Sequence, residues 1–522
     1  MTDGGADMPE IVELTLDQAG AALRDGRLTA ETLVRRHLER IARFNAAYNA
    51  IIFDNPEALD EARAIDARLA QGEVLGPLAG IPVVVKDTMD MAGLPTTGGW
   101  SLLHGPSGGT PLMPERDSSV VARLRAVGAV ILGQTHVPIL SHTGSHANDS
   151  WAGPTINAHA PLHVPGGSSA GTATAVAASF AMVGLGEETG GSIQNPAAAQ
   201  SLVGVKPTFG LVPTAGVMPL SGLRDVVGPI ARCVRDAALM LDVLAGYTAE
   251  DPHTCAAIGH LPEGGYAGRL DDRALQGRRI GTYGPGWRDQ SLEGETAELY
   301  SRALAELAEA GAVLRDDPFA GSGFAALRKP TCPPADYDGR GLESVPHDLD
   351  RYLRRMTADT AVRSFDALVA ATAREDVFAP GAILGFLSTM AAFQASRKDP
   401  SRPAEQDEFV AARAAYLKIF NNVLDREGID AVIFPQSRTA LPGLYESRPI
   451  PETTVSEVNI AGLPAVTVPA GYYRSGAPFG LVIVGKQWSE ADLLSYAYAY
   501  ERHTGHRMAP VLHDGERLVA GG

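Results

Sequence analysis

Two turns of the sequence place serines directly after glycines: Gly166-Gly167-Ser168-Ser169 and Thr189-Gly190-Gly191-Ser192. Glycine permits backbone dihedral angles at which consecutive N–H groups point at a ligand. A serine hydroxyl is a poor nucleophile at neutral pH unless a nearby base removes its proton. The two turns therefore indicate nucleophilic chemistry at a serine, provided that the fold brings a base to one of them.

Lys86 is the candidate base, because it ends the β-branched, apolar run 78–85. A continuous apolar run of this length predicts a strand buried on both faces, which would draw the lysine into the interior. Burial lowers the pKa of a lysine toward neutrality, so the amine can accept a proton if no carboxylate pairs with it. On this stretch alone, a lysine that extends to solvent from the strand end is the simpler interpretation.

Three interpretations of the glycine–serine turns compete. The run Gly167-Ser168-Ser169-Ala170-Gly171 fits the G-x-S-x-G pattern, with Ser169 as nucleophile, but no hydrophobic strand precedes it and no downstream histidine has a distinctive context. Alternatively, the glycines only let a helix pack closely. In the third interpretation both serines work with Lys86: one serine relays a proton from the other to the lysine. The N–H groups of Thr189, Gly190, Gly191 and Ser192 then form an oxyanion hole.

The elements that must hold these turns alternate between strand and helix. Strand patterns at 279–283 and 430–435 are separated by helical patterns such as 293–311. This alternation predicts an α/β fold with a largely parallel sheet. Residues 11–70 are predicted to be helices packed on the main body.

Residues 320–425 have few strand signals and predict a helical cap inserted into the domain. We expect this segment to form a pocket for one side of the substrate. Ordinary helix packing is an equally good explanation of the apolar side chains that would line the pocket: Phe378, Leu384, Phe386 and Leu387.

Composition limits the partners. The chain has 522 residues, 45% hydrophobic and 20% charged, which is ordinary for a globular protein. The formal net charge of -17 argues against nucleic acid or an anionic membrane as the main partner, since both require basic patches. Length alone would allow about three domains.

Cysteine content and the N-terminus indicate a cytoplasmic protein. Cys233, Cys255 and Cys332 are too few and too scattered for a disulfide framework or a metal site. Residues 1–7 lack the basic and apolar regions of a signal peptide, and no apolar run reaches the ~18 residues of a membrane span.

Histidines are concentrated between residues 133 and 163, but their spacing does not favour a metal. His142 and His146 are four residues apart, yet the intervening Thr143-Gly144-Ser145 is a poor helix and no glutamate follows the first histidine. We expect these histidines to be solvated or to line a pocket, and we expect no metal and no cofactor.

Several motifs together resemble the amidase signature family, over roughly residues 10–510. The resemblance rests on the lysine strand, the two turns and their flanks: 80–87, 153–157, 165–171, 189–193, 206–208, 459–464 and 478–481. It implies a single α/β/α domain with a large mixed, mostly parallel sheet between helices. It also implies that Ser192 is the nucleophile, that Ser168 is a bridging serine after a cis peptide bond, and that Lys86 is the base and then the acid.

Two positions depart from the common pattern of that family. Glu188 and Gln194 stand where many members have aspartate and arginine, which can form an ion pair behind the oxyanion loop. Residues 134–136 are Gln-Thr-His instead of Lys-Thr-Asn. A loose alignment after this block places Ser141 and Thr143 near the substrate.

The resemblance implies a hydrolase that cleaves amide bonds through an acyl-enzyme. We expect a free-standing bacterial amidase, a monomer or homodimer, acting on small uncharged aryl or acyl amides and also on esters or carbamates. One alternative is the A subunit of a tRNA-dependent amidotransferase, which requires partner subunits and tRNA. The other is a non-catalytic protein on the same fold.

Overall fold

The computed structural model describes residues 10–330 and 337–513. Residues 1–7 and Cys332, on which two of the expectations rest, lie outside this part of the chain. The described residues form one sheet of eleven strands, β1 to β11 in chain order: Ile51–Asp54, Pro82–Lys86, Val130–Thr135, Val183–Glu188, Val203–Lys206, Val226–Ala231, Arg279–Thr282, Val313–Arg315, Ala431–Pro435, Ala465–Tyr472 and Pro478–Val484.

The strand order is β1-β3-β2-β4-β6-β5-β10-β11-β9-β7-β8. The large mixed sheet between helices is confirmed, but the expectation that its strands are mostly parallel is wrong. Of the ten strand pairings in the described residues, four are parallel and six antiparallel. The antiparallel pairings arise because β10 and β11 form a hairpin and because β5 and β6 insert against β4 and β10.

Fourteen α-helices, α1 to α14, are described: Leu16–Arg24, Ala30–Tyr48, Ala58–Ala70, Ser119–Ala126, Ala170–Ala177, Gln194–Ala199, Val234–Leu244, Gly294–Glu309, Val345–Leu353, Phe365–Ala371, Ala391–Lys398, Asp407–Glu427, Val455–Ala461 and Glu490–Thr504. None of the helices in residues 10–330 and 337–513 combines the length and hydrophobicity that a membrane span requires.

The sheet separates two apolar cores. Successive side chains of a strand point to opposite faces, so a strand buried on both sides contributes alternately to each core. In β9 and β11 one core receives Ala431, Ile433, Leu481 and Ile483, and the other receives Val432, Phe434, Val482 and Val484. This alternation explains why these strands are apolar throughout.

Two segments differ from a simple alternation of strand and helix. Segment 11–70 contains not only helices but also β1, which pairs with β3 at the sheet edge. Segment 320–425 is helical in its described part, with α9 to α12 and no strand. Many of its apolar side chains form a separate cluster with loops around residues 100–103 and 218–220, near the carboxyl end of β2.

Candidate active site

Lys86 is the last residue of β2 and is completely buried. Its Nζ atom has three partners: Ser168 Oγ at 2.7 Å, Glu187 Oε2 at 2.7 Å and the Glu187 carbonyl oxygen at 3.0 Å. Strands β2 and β4 are parallel neighbours, so their carboxyl ends meet at one edge of the sheet. That arrangement brings Glu187, near the end of β4, to the lysine.

The Glu187 carboxylate contradicts the expectation that no carboxylate pairs with Lys86. Burial lowers the pKa of the Lys86 ammonium from its ordinary value, and the Glu187 carboxylate opposes this effect. The sequence signal for this contact is the acidic pair Glu187-Glu188 just before the second turn. The sequence did not indicate which of the two carboxylates faces the lysine.

Ser168 follows two glycines whose backbone geometry is restrictive. Gly166 has φ 75°, and the peptide bond between Gly167 and Ser168 is cis. A Cβ atom at Gly167 would lie 2.9 Å from the carbonyl oxygen of Thr143, so a larger residue would displace that loop. The Gly167 N–H donates to the Gly144 carbonyl at 2.8 Å.

Ser169 connects the first turn to strand β4 and to the second turn. Its Oγ atom lies 3.3 Å from both the backbone N–H and the carbonyl oxygen of Glu187, and its own N–H donates to the Ser192 carbonyl at 3.3 Å. Ser169 therefore has a structural role: its hydrogen bonds hold the Ser168 turn against Ser192.

The second turn, 189–192, runs from the end of β4 toward α6, and Ser192 is 4% exposed. In the described part of the chain we find no protein oxygen that accepts a hydrogen bond from the backbone N–H groups of this turn. The ring of Tyr337 covers Gly190, where a Cβ atom would lie 2.6 Å from Tyr337 Cε2. Glycine is thus required for this close approach.

Glu188 supports the turn without an arginine. One carboxylate oxygen accepts the backbone N–H groups of Ile193 at 2.8 Å and Gln194 at 3.1 Å. The other accepts the side-chain amides of Gln194 at 2.5 Å and Asn459 at 2.8 Å. Four donors compensate for the burial of this carboxylate, and none of the four is an arginine.

Ser141 and Thr143, predicted near the substrate, have different surroundings. Ser141 Oγ lies 3.5 Å from Glu187 Oε2, and Ser141 lines a largely aliphatic cavity. The Thr143 hydroxyl instead accepts the Ser145 N–H at 3.3 Å. The cavity is bounded by Thr88, Leu140, Ser141, Met218, Pro219, Leu220, Val345, Leu349 and Leu384.

Leu384, one of the four apolar side chains named in the helical segment, lines this cavity. Phe378 and Leu387 are buried in the apolar cluster of that segment, and Phe386 packs against the cluster. Within the described residues, His, Cys, Asp and Glu side chains form no group of three that could hold a metal ion.

Comparison with known proteins identifies the family. The amidase family model matches residues 32–494. The chain is 34% identical to the A subunit of the glutamyl-tRNA(Gln) amidotransferase from Synechococcus sp. (strain JA-2-3B'a(2-13)), over 93% of this chain and 91% of that protein. The chain therefore belongs to the amidase signature family, a family of enzymes that cleave amide C–N bonds.

Solved structures give the same result. The peptide amidase from Stenotrophomonas maltophilia is 32% identical and superposes with a TM-score of 0.79, covering 96% of this chain and 99% of that one. A bacterial aryl acylamidase of the amidase signature family, 23% identical, has a TM-score of 0.75 over 95% of this chain and 97% of that one, and shows the shared fold.

Proposed function

We propose that this protein is a serine hydrolase that cleaves amide bonds through an acyl-enzyme on Ser192. Lys86 is the base and then the acid, and Ser168 relays the proton between them. The observation that carries this proposal is the buried 2.7 Å hydrogen bond between Lys86 Nζ and Ser168 Oγ, in a loop that bonds to the Ser192 backbone. Membership of the amidase signature family supports the same assignment.

In the proposed reaction Lys86 takes up and gives back one proton in each half, so it ends the cycle in its neutral form. Ser192 Oγ attacks the amide carbonyl carbon while its proton passes to Ser168 and the Ser168 proton passes to neutral Lys86. The C–N bond then breaks, and the departing nitrogen receives a proton from Lys86 by the reverse route. Water then attacks the acyl-enzyme and gives a proton along the same path to Lys86. Lys86 returns this proton through Ser168 to Ser192 Oγ as the carboxylic acid leaves.

The turn at residues 189–192 supplies the oxyanion hole in this mechanism. The negative oxygen of each tetrahedral intermediate accepts hydrogen bonds from backbone N–H groups of Thr189, Gly190, Gly191 and Ser192. One such donor is typically worth ~3 kcal/mol of transition-state stabilisation. Glu188 supports this role, because it fixes the backbone that directly follows the nucleophile.

The cavity beside Ser141 favours a small uncharged substrate. Most of its lining is aliphatic, which suits an apolar acyl or aryl group. Esters and carbamates that present the same group to Ser192 are also expected to react, because the attack on the carbonyl carbon is the same step. Ser141 and Thr88 are the polar side chains in the lining.

The second candidate is an A subunit of a tRNA-dependent amidotransferase, which the 34% identity to such a protein favours. Its glutamine substrate carries an ammonium and a carboxylate, and both require polar or charged partners in the site. The largely apolar cavity lining instead supports the free-standing hydrolase. A purified chain that hydrolyses amides alone, as a monomer or homodimer, would exclude the amidotransferase role.

The test compares wild type, Ser192→Ala and Ser169→Ala on anilides and on p-nitrophenyl esters with acetyl to hexanoyl groups. We expect Ser192→Ala to lose at least ~10³-fold in kcat/KM. Ser169→Ala, the matched control, is expected to retain activity within tenfold, because its hydroxyl bonds only to strand backbone. Equal hydrolysis by wild type and Ser192→Ala would refute the proposal.

A further inference from the structure

A chain of buried side chains connects Lys86 with the protein surface. Glu187 Oε2 accepts from Lys86 at 2.7 Å, and Glu187 Oε1 lies 3.1 Å from Thr189 Oγ1. The same Thr189 oxygen lies 2.5 Å from Asp225 Oδ1. Asp225 is only 5% exposed and borders an open polar cleft with Gly216, Asp348, Tyr352 and Arg355. The chain begins at the candidate base and ends at Asp225, on the border of a surface cleft.

The geometry at Lys86 fixes the direction of its lone pair. A neutral lysine amine has two hydrogens and one lone pair. Two of its three partners, the Glu187 carbonyl oxygen and carboxylate, can only accept, so they take both hydrogens. Ser168 is the remaining partner and the only one that can donate. Glu187 thereby directs the lone pair at the Ser168 hydroxyl.

Hydrogen counting along the chain requires one proton on Glu187 or Asp225, and the contact of Glu187 with the Lys86 amine favours Asp225 as its carrier. The Thr189 hydroxyl has a single hydrogen and cannot donate to both Glu187 and Asp225. Asp225 Oδ2 already accepts the N–H groups of Leu220 and Ser221, both at 2.8 Å, which leaves Oδ1 free to carry a proton toward Thr189. Burial and the Glu187 carboxylate both hold the pKa of Asp225 well above its usual value.

We propose that Glu187 is a positioning residue that orients the Lys86 amine and sets the pH range in which it accepts a proton. Protonated Asp225 holds Glu187 ionised and in place through Thr189. The inference rests on the proposed role of Lys86 as base. Asp225 donates to Thr189, Thr189 donates to Glu187, and Glu187 accepts from Lys86. If Asp225 were ionised as well as Glu187, the Thr189 hydroxyl could donate to only one of them, and the other contact would have no hydrogen.

Other ionisable groups near the chain face elsewhere. The Glu188 carboxylate is directed at Ile193, Gln194 and Asn459. Asp87 accepts from Thr97 and from the Gly99 N–H. Arg224 donates to the Thr189 carbonyl oxygen and lies over the Tyr337 ring. The charge of Glu187 is thus the one in direct contact with Lys86.

The test measures the rate at which phenylmethylsulfonyl fluoride labels Ser192 at a series of pH values. Intact-mass spectrometry detects the labelled protein. The rate rises with pH as Lys86 loses its proton. Glu187→Gln removes the charge that stabilises the Lys86 ammonium. The acid limb of its pH–rate profile, where labelling rises with pH, is therefore expected to move to lower pH by about one unit or more. Asp225→Asn reproduces the donor and acceptor of a protonated aspartic acid, so its acid limb is expected within ~0.3 unit of wild type.

Glu188→Gln is the charge-matched control: it is expected to slow labelling at every pH and to move the limb less than Glu187→Gln. An unmoved limb in Glu187→Gln, or an equal shift in Asp225→Asn, overturns the inference. If Ser192→Ala is labelled as fast as wild type, the proposed function itself fails. Loss of labelling in Ser192→Ala together with unmoved limbs refutes only the role of Glu187.

A second measurement does not depend on activity or on the Glu187 variant. The infrared difference spectrum of wild type minus Asp225→Asn at pH 8 is expected to show the carbonyl stretch of a protonated carboxylic acid. Carboxylate bands in its place would mean that Asp225 is ionised and would overturn the inference.

Discussion

Asn459 and Glu188 are 271 residues apart in the chain and are joined by a buried hydrogen bond of 2.8 Å from Asn459 Nδ2 to Glu188 Oε1. Glu188 also holds the backbone that follows Ser192. The contact thus connects helix α13 with the turn that contains Ser192.

Asn459→Asp is expected to destabilise the protein in a pH-dependent manner. At pH 8 it places a second carboxylate against Glu188, and the free energy of unfolding should fall by ~2 kcal/mol or more. Stability relative to wild type should recover as the pH falls, because one of the two carboxyl groups then takes a proton and donates.

Urea unfolding between pH 5 and pH 8 measures this effect. Asn459→Ala is the control, since it loses the donor without adding a charge and should cost ~1.5–3 kcal/mol throughout this range. An Asn459→Asp protein as stable as wild type at pH 8 would contradict the assigned role of Glu188.

The two completely buried lysines, Lys86 and Lys206, are expected to differ in function. Lys206 Nζ donates to the carbonyl oxygens of Pro207 and Leu463 and forms no hydrogen bond with Ser168 or Ser192. Lys86→Met should lower kcat/KM for p-nitroanilides by ~10²–10⁴-fold. Lys206→Met should retain the pH profile of wild type. Equal losses in the two variants would show that burial of a lysine, and not its contact with Ser168, determines activity.

Lys206 also predicts a pH dependence of stability. Burial lowers the pKa of Lys206 to about 8, whereas the lysine of the unfolded chain keeps a value near ~10.4. Between these values the unfolded chain binds more protons, so the free energy of unfolding should rise with pH, by up to ~3 kcal/mol. Unfolding in urea from pH 7 to pH 10.5 should show this rise in wild type relative to Lys206→Met. Identical slopes would contradict the lowered pKa.

The cavity predicts how acyl-chain preference can be changed. Leu384→Ala enlarges the cavity and should shift the kcat/KM optimum toward longer acyl groups in a series of p-nitroanilides. Leu353→Ala is the matched control, because Leu353 is equally buried in the same apolar cluster but does not line the cavity. It should lower stability by ~2–5 kcal/mol and leave the preference unchanged. Parallel changes in both variants would argue against the cavity as the acyl site.

Local sequence patterns predicted most elements and the family. The apolar run before Lys86 is β2, and the patterns at 430–435 and 293–311 correspond to β9 and α8. Strand direction was predicted less well, because the antiparallel pairings of β5, β6 and β10 depend on which distant strands become neighbours. Strand β1 was missed because four residues between two strong helical patterns carry little signal.

The site was predicted in its residue types but not in its charges. The pattern singled out Lys86, Ser168 and Ser192, yet it placed no acid beside the lysine. Which of Glu187 and Glu188 faces Lys86 depends on the register and end of β4, and that is a property of the folded sheet. Asp225 comes from a distant part of the chain and has no local signal. Asn459 lies in the motif 459–464, but that motif did not predict its contact with Glu188.

The central claim is that Ser192 carries the acyl group. Its most direct test is mass spectrometry of wild type quenched during turnover of p-nitrophenyl esters and anilides, followed by peptide mapping. We predict an added mass equal to the acyl group, on the peptide that contains Ser192, and no adduct in Ser192→Ala. An adduct on Ser169, or full turnover by Ser192→Ala without an adduct, would contradict this account.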